Sequence, residues 1–172
     1  MDPVEKIRTT FERSVKALTL RPAMGQGTAV TKVRVRDGMT CDIEDGRWSL
    51  VADMSEKSGG NGAGPDPGVL GRAALGSCLA MSYAKWAAAR GVPISGVEVE
   101  IQADYDARGE YGIEDVSPGY LEVRYVVTVE SAAPEEEILS LLDEADTYTP
   151  WLDVFARPQE LRRDVRVVAP RS

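Results

Sequence analysis

One stretch of this chain restricts its possible folds more than any other. Val69-Leu70-Gly71-Arg72-Ala73-Ala74-Leu75-Gly76-Ser77-Cys78-Leu79-Ala80-Met81 follows directly on the glycine- and proline-rich run from Gly59 to Pro67. Its apolar residues lie all round a helix, the pattern of a helix enclosed by its own protein or crossing a bilayer. The uncharged run between Arg72 and Lys85 falls well short of the ~20 apolar residues a span needs. The sequence therefore predicts a central core helix over 68–90, entered from a Gly/Pro-rich loop over 58–68. Cys78 falls about two and a half turns into it, as a buried or pocket-lining thiol.

A chain of 172 residues suits a single domain over 1–172 with a real core. The net charge of -8 disfavours nucleic acid and anionic membrane as partners, because both reward a basic patch. The densest basic cluster, Arg162, Arg163 and Arg166, is interrupted by Asp164. Met1 to Leu20 carries charges throughout, so no signal peptide is expected. Two cysteines far apart do not make a disulfide scaffold, and a cytoplasmic location is expected. The chain has no histidine, which removes Ser-His-Asp and Cys-His catalysis and every His-containing zinc pattern. No metal and no cofactor are expected.

Asp2, Pro3 and Glu5 predict a capping box at the start of an amphipathic helix over 1–20, with Val4, Ile7, Phe11, Val15 and Leu18 as its apolar stripe. Asp37-Gly38 and Asp45-Gly46 predict three strands joined by two tight turns. A turn centred on Asp45-Gly46 pairs Ile43 with Trp48 and Cys41 with Leu50. A strict turn at Asp37-Gly38 would place Arg34 and Arg36, not Val33 and Val35, on that apolar face. Either a bulge shifts the register or the arginines face that pocket. Beyond the central helix, Val97 to Tyr105 and Leu121 to Val129 alternate as half-buried strands around a loop over 107–119. A helix opens at Glu135–Glu137, a short helical turn covers Trp151 to Phe155, and Leu161 to Val168 reads as a last strand. The pattern is α+β, with antiparallel sheets wrapped around one buried helix.

Pro65-x-Pro67-x-x-Leu70, followed by Ala73-Ala74-Leu75-Gly76-Ser77-Cys78-Leu79-Ala80-Met81, resembles the OsmC/Ohr family. The resemblance implies an intertwined homodimer with two active sites at the subunit interface. It also implies thiol-dependent reduction of organic hydroperoxides in the oxidative stress response, with Cys78 as the peroxidatic cysteine. An arginine beside that thiol is implied near Arg36-Asp37-Gly38. Two elements of the family pattern are missing. Gly68 stands where a glutamate is expected, and Thr149-Pro150 replaces the Cys-Pro pair that holds the resolving cysteine. An external thiol or dithiol would then have to reduce Cys78, so the chain resembles a divergent branch.

Catalysis is thus expected from Cys78 with Arg36, since a thiolate needs a cation beside it and Cys78 lies too deep for the helix terminus to help. Leu75, Leu79, Ser82 and Trp86 share the Cys78 side of the helix, as core packing or as the wall of an apolar substrate pocket. Thr149 is a cap or turn residue before Pro150 and is counted with these four as a candidate residue of the substrate pocket. Arg72 is either a snorkelling surface residue or ion-paired, with Asp66 or with an acid of a partner subunit. Cys41 reads as core, although a bond to Cys78 would be possible with Cα atoms within ~7 Å. The loop at 59–64 is either a plain linker or a substrate lid. The alternative to a peroxidase is an inactive homodimer that binds an apolar small molecule or acts structurally.

Overall fold

The computed structural model describes residues 1–169. Helix α1 (Pro3–Leu20) leads through a 3-10 turn to strands β1 (Lys32–Asp37), β2 (Thr40–Asp45) and β3 (Trp48–Ala52). Helix α2 (Pro67–Arg90) follows, then strands β4 (Gly96–Tyr105) and β5 (Tyr120–Glu130) and helices α3 (Glu135–Thr147) and α4 (Pro150–Ala156). The α+β class and the central helix agree with the sequence.

Helix α2 is delimited by its own caps. Asp66 Oδ1 accepts from the Val69 amide at 2.8 Å, and Pro67 occupies the first helical positions, where a missing N–H costs nothing. At the other end Gly91 takes φ +72°, and the Val92 amide bonds back to the Ala87 carbonyl at 3.0 Å. One face of α2 lies on β4 and β5. There the alternating residues Val97, Val99, Ile101, Val123, Tyr125 and Val127 meet Leu75, Leu79, Tyr83 and, from α3, Ala145. Gly76 allows this approach, since a Cβ there would lie 3.2 Å from Ile101 Cγ1. The outward residues of the same two strands are polar apart from Val126, and Arg124 on that face pairs with Asp104 at 2.6 Å and Glu122 at 2.9 Å. Leu75 and Leu79 are 1% and 0% exposed, and their burial contributes roughly 1.5–3 kcal/mol apiece.

The three-stranded sheet, in the order β1-β2-β3, stands apart from this core. Its strands pack on one another and, to any comparable extent, on no helix. Val33 and Val35 face Ile43 and Cys41, and Leu50 and Ala52 complete the same face. The register between β1 and β2 slips between Val35 and Asp37, so Arg36 is the bulged residue. Of the two readings of that hairpin, the bulge is realised: the valines, not Arg34, share the apolar face. The second hairpin departs from expectation. Asp45 pairs with Trp48 and Ile43 with Leu50, because the turn is Gly46-Arg47 with Gly46 at φ +54° in its first central position. A slip of two residues moves the partners but keeps the face.

Three further expectations are corrected. Only half of the capping box forms: Asp2 accepts from the Glu5 amide at 3.2 Å, while Glu5 turns to Arg8 at 2.6 Å and to Thr9. Arg72 does not pair with Asp66, which is occupied as the α2 cap. Instead Arg72 Nη1 donates to the Tyr120 hydroxyl at 3.1 Å, and that hydroxyl donates to the Gly68 carbonyl at 3.2 Å. Residues 161–168 form no strand, for no neighbouring strand edge in the chain pairs with them, and Leu161, Val165, Val167 and Val168 are all exposed. Among the described residues no helix is long and apolar enough to cross a membrane.

Candidate functional site

Cys78 lies half-buried on α2. At 100° per residue it sits about 200° round the helix from Gly76, so it faces away from β4 and β5. Val69, Arg72, Ala73, Gly76 and Ser77 face Val99 and Ile101 across a shallow cleft, and Cys78 is not among them. The thiol therefore occupies a side of α2 that this chain's own sheets leave uncovered. Its neighbours divide into two groups. Leu75 and Leu79 are core residues under Leu152 and Phe155 of α4. Ser82 is 4% exposed and its hydroxyl has no hydrogen-bond partner among the described residues. Trp86 is stacked on Tyr148 at 5.1 Å and meets the edge of Phe11 at 5.3 Å, while its Nε1 is likewise unpartnered.

Arg36 is exposed at the β1 bulge and its Nε lies 3.5 Å from Asp42 Oδ1. Within one chain no hydrogen bond or ion pair joins it to Cys78 among the described residues. Both cysteines are free thiols, and Cys41 Sγ donates to the Met39 carbonyl at 3.6 Å. Thr149, 2% exposed, is the N-cap residue of α4, but its hydroxyl makes no bond to that helix and instead donates to the Ala145 carbonyl at 2.8 Å, in the last turn of α3. No cluster of His, Cys, Asp or Glu that could hold a metal ion occurs among the described residues.

Two polar constructions were not anticipated from sequence. Asp53, 2% exposed at the end of β3, is enclosed by donors. Its Oδ2 accepts from the amides of Asn61 and Ala63, both at 3.1 Å, and from the Thr40 hydroxyl at 2.9 Å, while Oδ1 accepts from the Met54 amide at 2.8 Å. Burial alone would raise this carboxyl, but the Ala63 amide, the Thr40 hydroxyl and the Asn61 and Met54 amides outweigh it. The pKa is held below the ordinary aspartate value. The 59–64 loop is folded onto this one carboxylate through the Asn61 and Ala63 amides. Gly60 and Gly64 permit this, since a Cβ at either would overlap the carbonyl of Met54 or of Val51.

The second construction is a clamp on Asp146 of α3. Tyr83 of α2 donates to its Oδ1 at 2.7 Å and Tyr125 of β5 donates to its Oδ2 at 2.8 Å. Burial and then the carboxylate push both phenols up, Tyr125 to about 12 and Tyr83 further. A lone tyrosine inside an apolar helix, five residues beyond Cys78, was the available signal for this clamp.

The comparisons with known proteins agree on one architecture. No curated protein matches the chain. Among solved structures, an OsmC-like protein from Mycoplasma pneumoniae superimposes with a TM-score of 0.66 at 13% identity, over 76% of this chain and 89% of its own. An organic hydroperoxide resistance protein OsmC from Legionella pneumophila gives 0.54 at 16% identity, over 75% and 89%. An organic hydroperoxide resistance protein from Elizabethkingia anophelis, with bound thiocyanate, gives 0.57 at 14%, over 74% and 87%. Identities this low carry the fold alone. Residues 59–162, which hold the Asp53-anchored loop, α2 with Cys78, and everything through α4, match the pattern of the family described as OsmC-like protein, and the chain belongs to that family.

Proposed function

We propose that the protein is a thiol-dependent peroxidase that reduces organic hydroperoxides through Cys78, with an external thiol as reductant. The observation that carries this reading is the position of Cys78, half-buried on the one side of α2 that the chain's sheets leave open, in an OsmC-like chain. The Cys78 thiolate attacks the outer oxygen of the hydroperoxide. The S–O bond forms as the O–O bond breaks, sulfur gives up two electrons, and the departing alkoxide takes a proton to leave as the alcohol. The resulting sulfenic acid condenses with one external thiol, releasing water. A second thiol then frees Cys78 and leaves as the disulfide. Cys41 takes no part.

The proposal includes an intertwined homodimer in which Arg36 of one copy stands beside the partner's Cys78. Two facts support it. Arg36 does not reach Cys78 within its own chain, and the sheet that bears it exposes an apolar face, with Val33, Val35 and Leu50 at 61%, 62% and 54%. Isolated exposed aliphatic side chains are ordinary, but a contiguous face of them marks an interface. A second reading, an inactive homodimer that binds an apolar molecule, is favoured by Thr149, whose hydroxyl is already committed to the Ala145 carbonyl. Turnover of cumene hydroperoxide with a dithiol decides between them. Wild type and Cys41→Ser are expected to consume peroxide well above background, and Cys78→Ser only at background. Equal background rates for wild type and Cys78→Ser would leave the inactive reading standing.

A further inference from the structure

A trough of about 840 Å³ runs between α1 and α2, and Cys78 does not line it. Its walls are the stripe Ile7, Phe11, Val15 and Leu18 on one side and Met81 and Ala84 on the other. The stripe is only partly spent on packing. Phe11 docks on Trp86, but no residue of α1 is fully buried, and Val15 and Leu18 remain open along the trough. Such a volume falls within the ~300–1,000 Å³ of small-molecule sites and has their apolar character.

Polarity in the trough is confined to a few groups. Ser14 spends its hydroxyl on the Thr10 carbonyl at 2.8 Å. Lys6 and Lys85 are the only charged residues of the lining, both cationic in a chain of net charge -8. Neither takes part in an ion pair among the described residues. An elongated apolar wall with two uncommitted ammonium groups fits a ligand with an aliphatic chain and one anionic head. We propose that the α1–α2 trough binds a single-chain aliphatic carboxylate, its chain along the Phe11–Val15–Leu18 wall and its head paired with Lys6 and Lys85. The trough does not include Cys78, but Lys85, seven residues further on, lies on nearly the same side of α2, so the site shares the open flank on which the proposed dimer would seat its partner.

Calorimetric titration of the full-length protein with sodium dodecanoate below its micellar concentration tests this, with methyl dodecanoate as the uncharged control. One site per chain is expected for the carboxylate, with the ester at least tenfold weaker. Lys6→Met with Lys85→Met together should weaken dodecanoate at least tenfold, and Ala84→Trp should abolish binding by filling the floor. Both variants should keep the circular dichroism and sedimentation of wild type, and Cys78→Ser should bind unchanged. Equal affinity for the ester, or no loss in the double lysine variant, would overturn the proposal. A fall in sedimenting mass for Ala84→Trp would also overturn it, by assigning the trough to a contact between copies.

Discussion

Removing the Tyr83 hydroxyl is the most direct test of how the helical half of this protein is held together. Tyr83 is fully buried, and its O–H reaches Asp146 Oδ1 at 2.7 Å, while Tyr125 holds the other oxygen at 2.8 Å. Hydrogen bonds to a charged group contribute about 1.5–3 kcal/mol, so Tyr83→Phe should destabilise by about 2 kcal/mol. Tyr125→Phe should cost somewhat less, since Tyr125 is only partly buried. The double variant is the sharper measurement. With one tyrosine gone the carboxylate keeps one donor, and with both gone it has none, so the combined loss should exceed the sum of the two by about 1 kcal/mol. Adding Asp146→Leu should then recover much of the loss, because no charge is left to satisfy. Urea unfolding followed by circular dichroism at fixed protein concentration reads these values. A slope of about 2 kcal/mol/M turns the first loss into a midpoint shift of about 1 M. A Tyr83→Phe midpoint within about 0.2 M of wild type, or strict additivity in the double variant, would refute the clamp as a coupled unit.

Other expectations follow from single sites. Asp53 has a lowered pKa, so its contribution is complete above the ordinary aspartate value near 3.8 and is lost as pH falls through the lower folded value; Asp53→Asn should flatten the decline of the urea midpoint between about pH 4 and 2. The raised pKa of Tyr125 acts in the opposite sense, with stability intact below about pH 10 and falling as pH rises toward 12, a decline that Tyr125→Phe should reduce. Ser82→Ala removes a buried hydroxyl that has no partner and should be neutral or stabilising by about 1 kcal/mol in the same assay; a clear loss would show that the hydroxyl is in use. Gly71→Ala meets nothing within 4 Å and should gain about 0.5–1 kcal/mol from helix propensity, whereas Gly60→Ala must push aside the Met54 carbonyl and should lower the thermal midpoint.

Much of the fold was legible because its signals are local. The central helix was expected over 68–90 and runs from Pro67 to Arg90, although Asp66, offered as an ion-pair partner, is its cap, and the alternation of β4 and β5 marks which residues face α2. The tight turns were located but their centres were not, because Asp-Gly can end a strand as readily as fill the turn, and here glycine leads both loops. The strand expected at 161–168 has the right alternation but no edge to pair with, and alternation alone does not supply one. At the candidate site the sequence singled out Cys78 and Arg36 as types, yet their separation within a chain depends on where the three-stranded sheet points. Asp53 and Asp146 were overlooked for a related reason. Each is a common acid whose importance comes chiefly from donors distant in sequence, Asn61 and Ala63 for Asp53 and Tyr83 for Asp146.

The carboxylate of Asp53 has a mechanical consequence. Its amide donates to the Pro65 carbonyl at 3.2 Å, its side chain grips Asn61 and Ala63, and Asp66 begins α2 one residue after Pro65. The joint between the hairpin arm and the helix is thereby fused like a welded bracket, with no free swivel. The angle at which the hairpin arm leaves the helix is set by hydrogen bonds within its own chain.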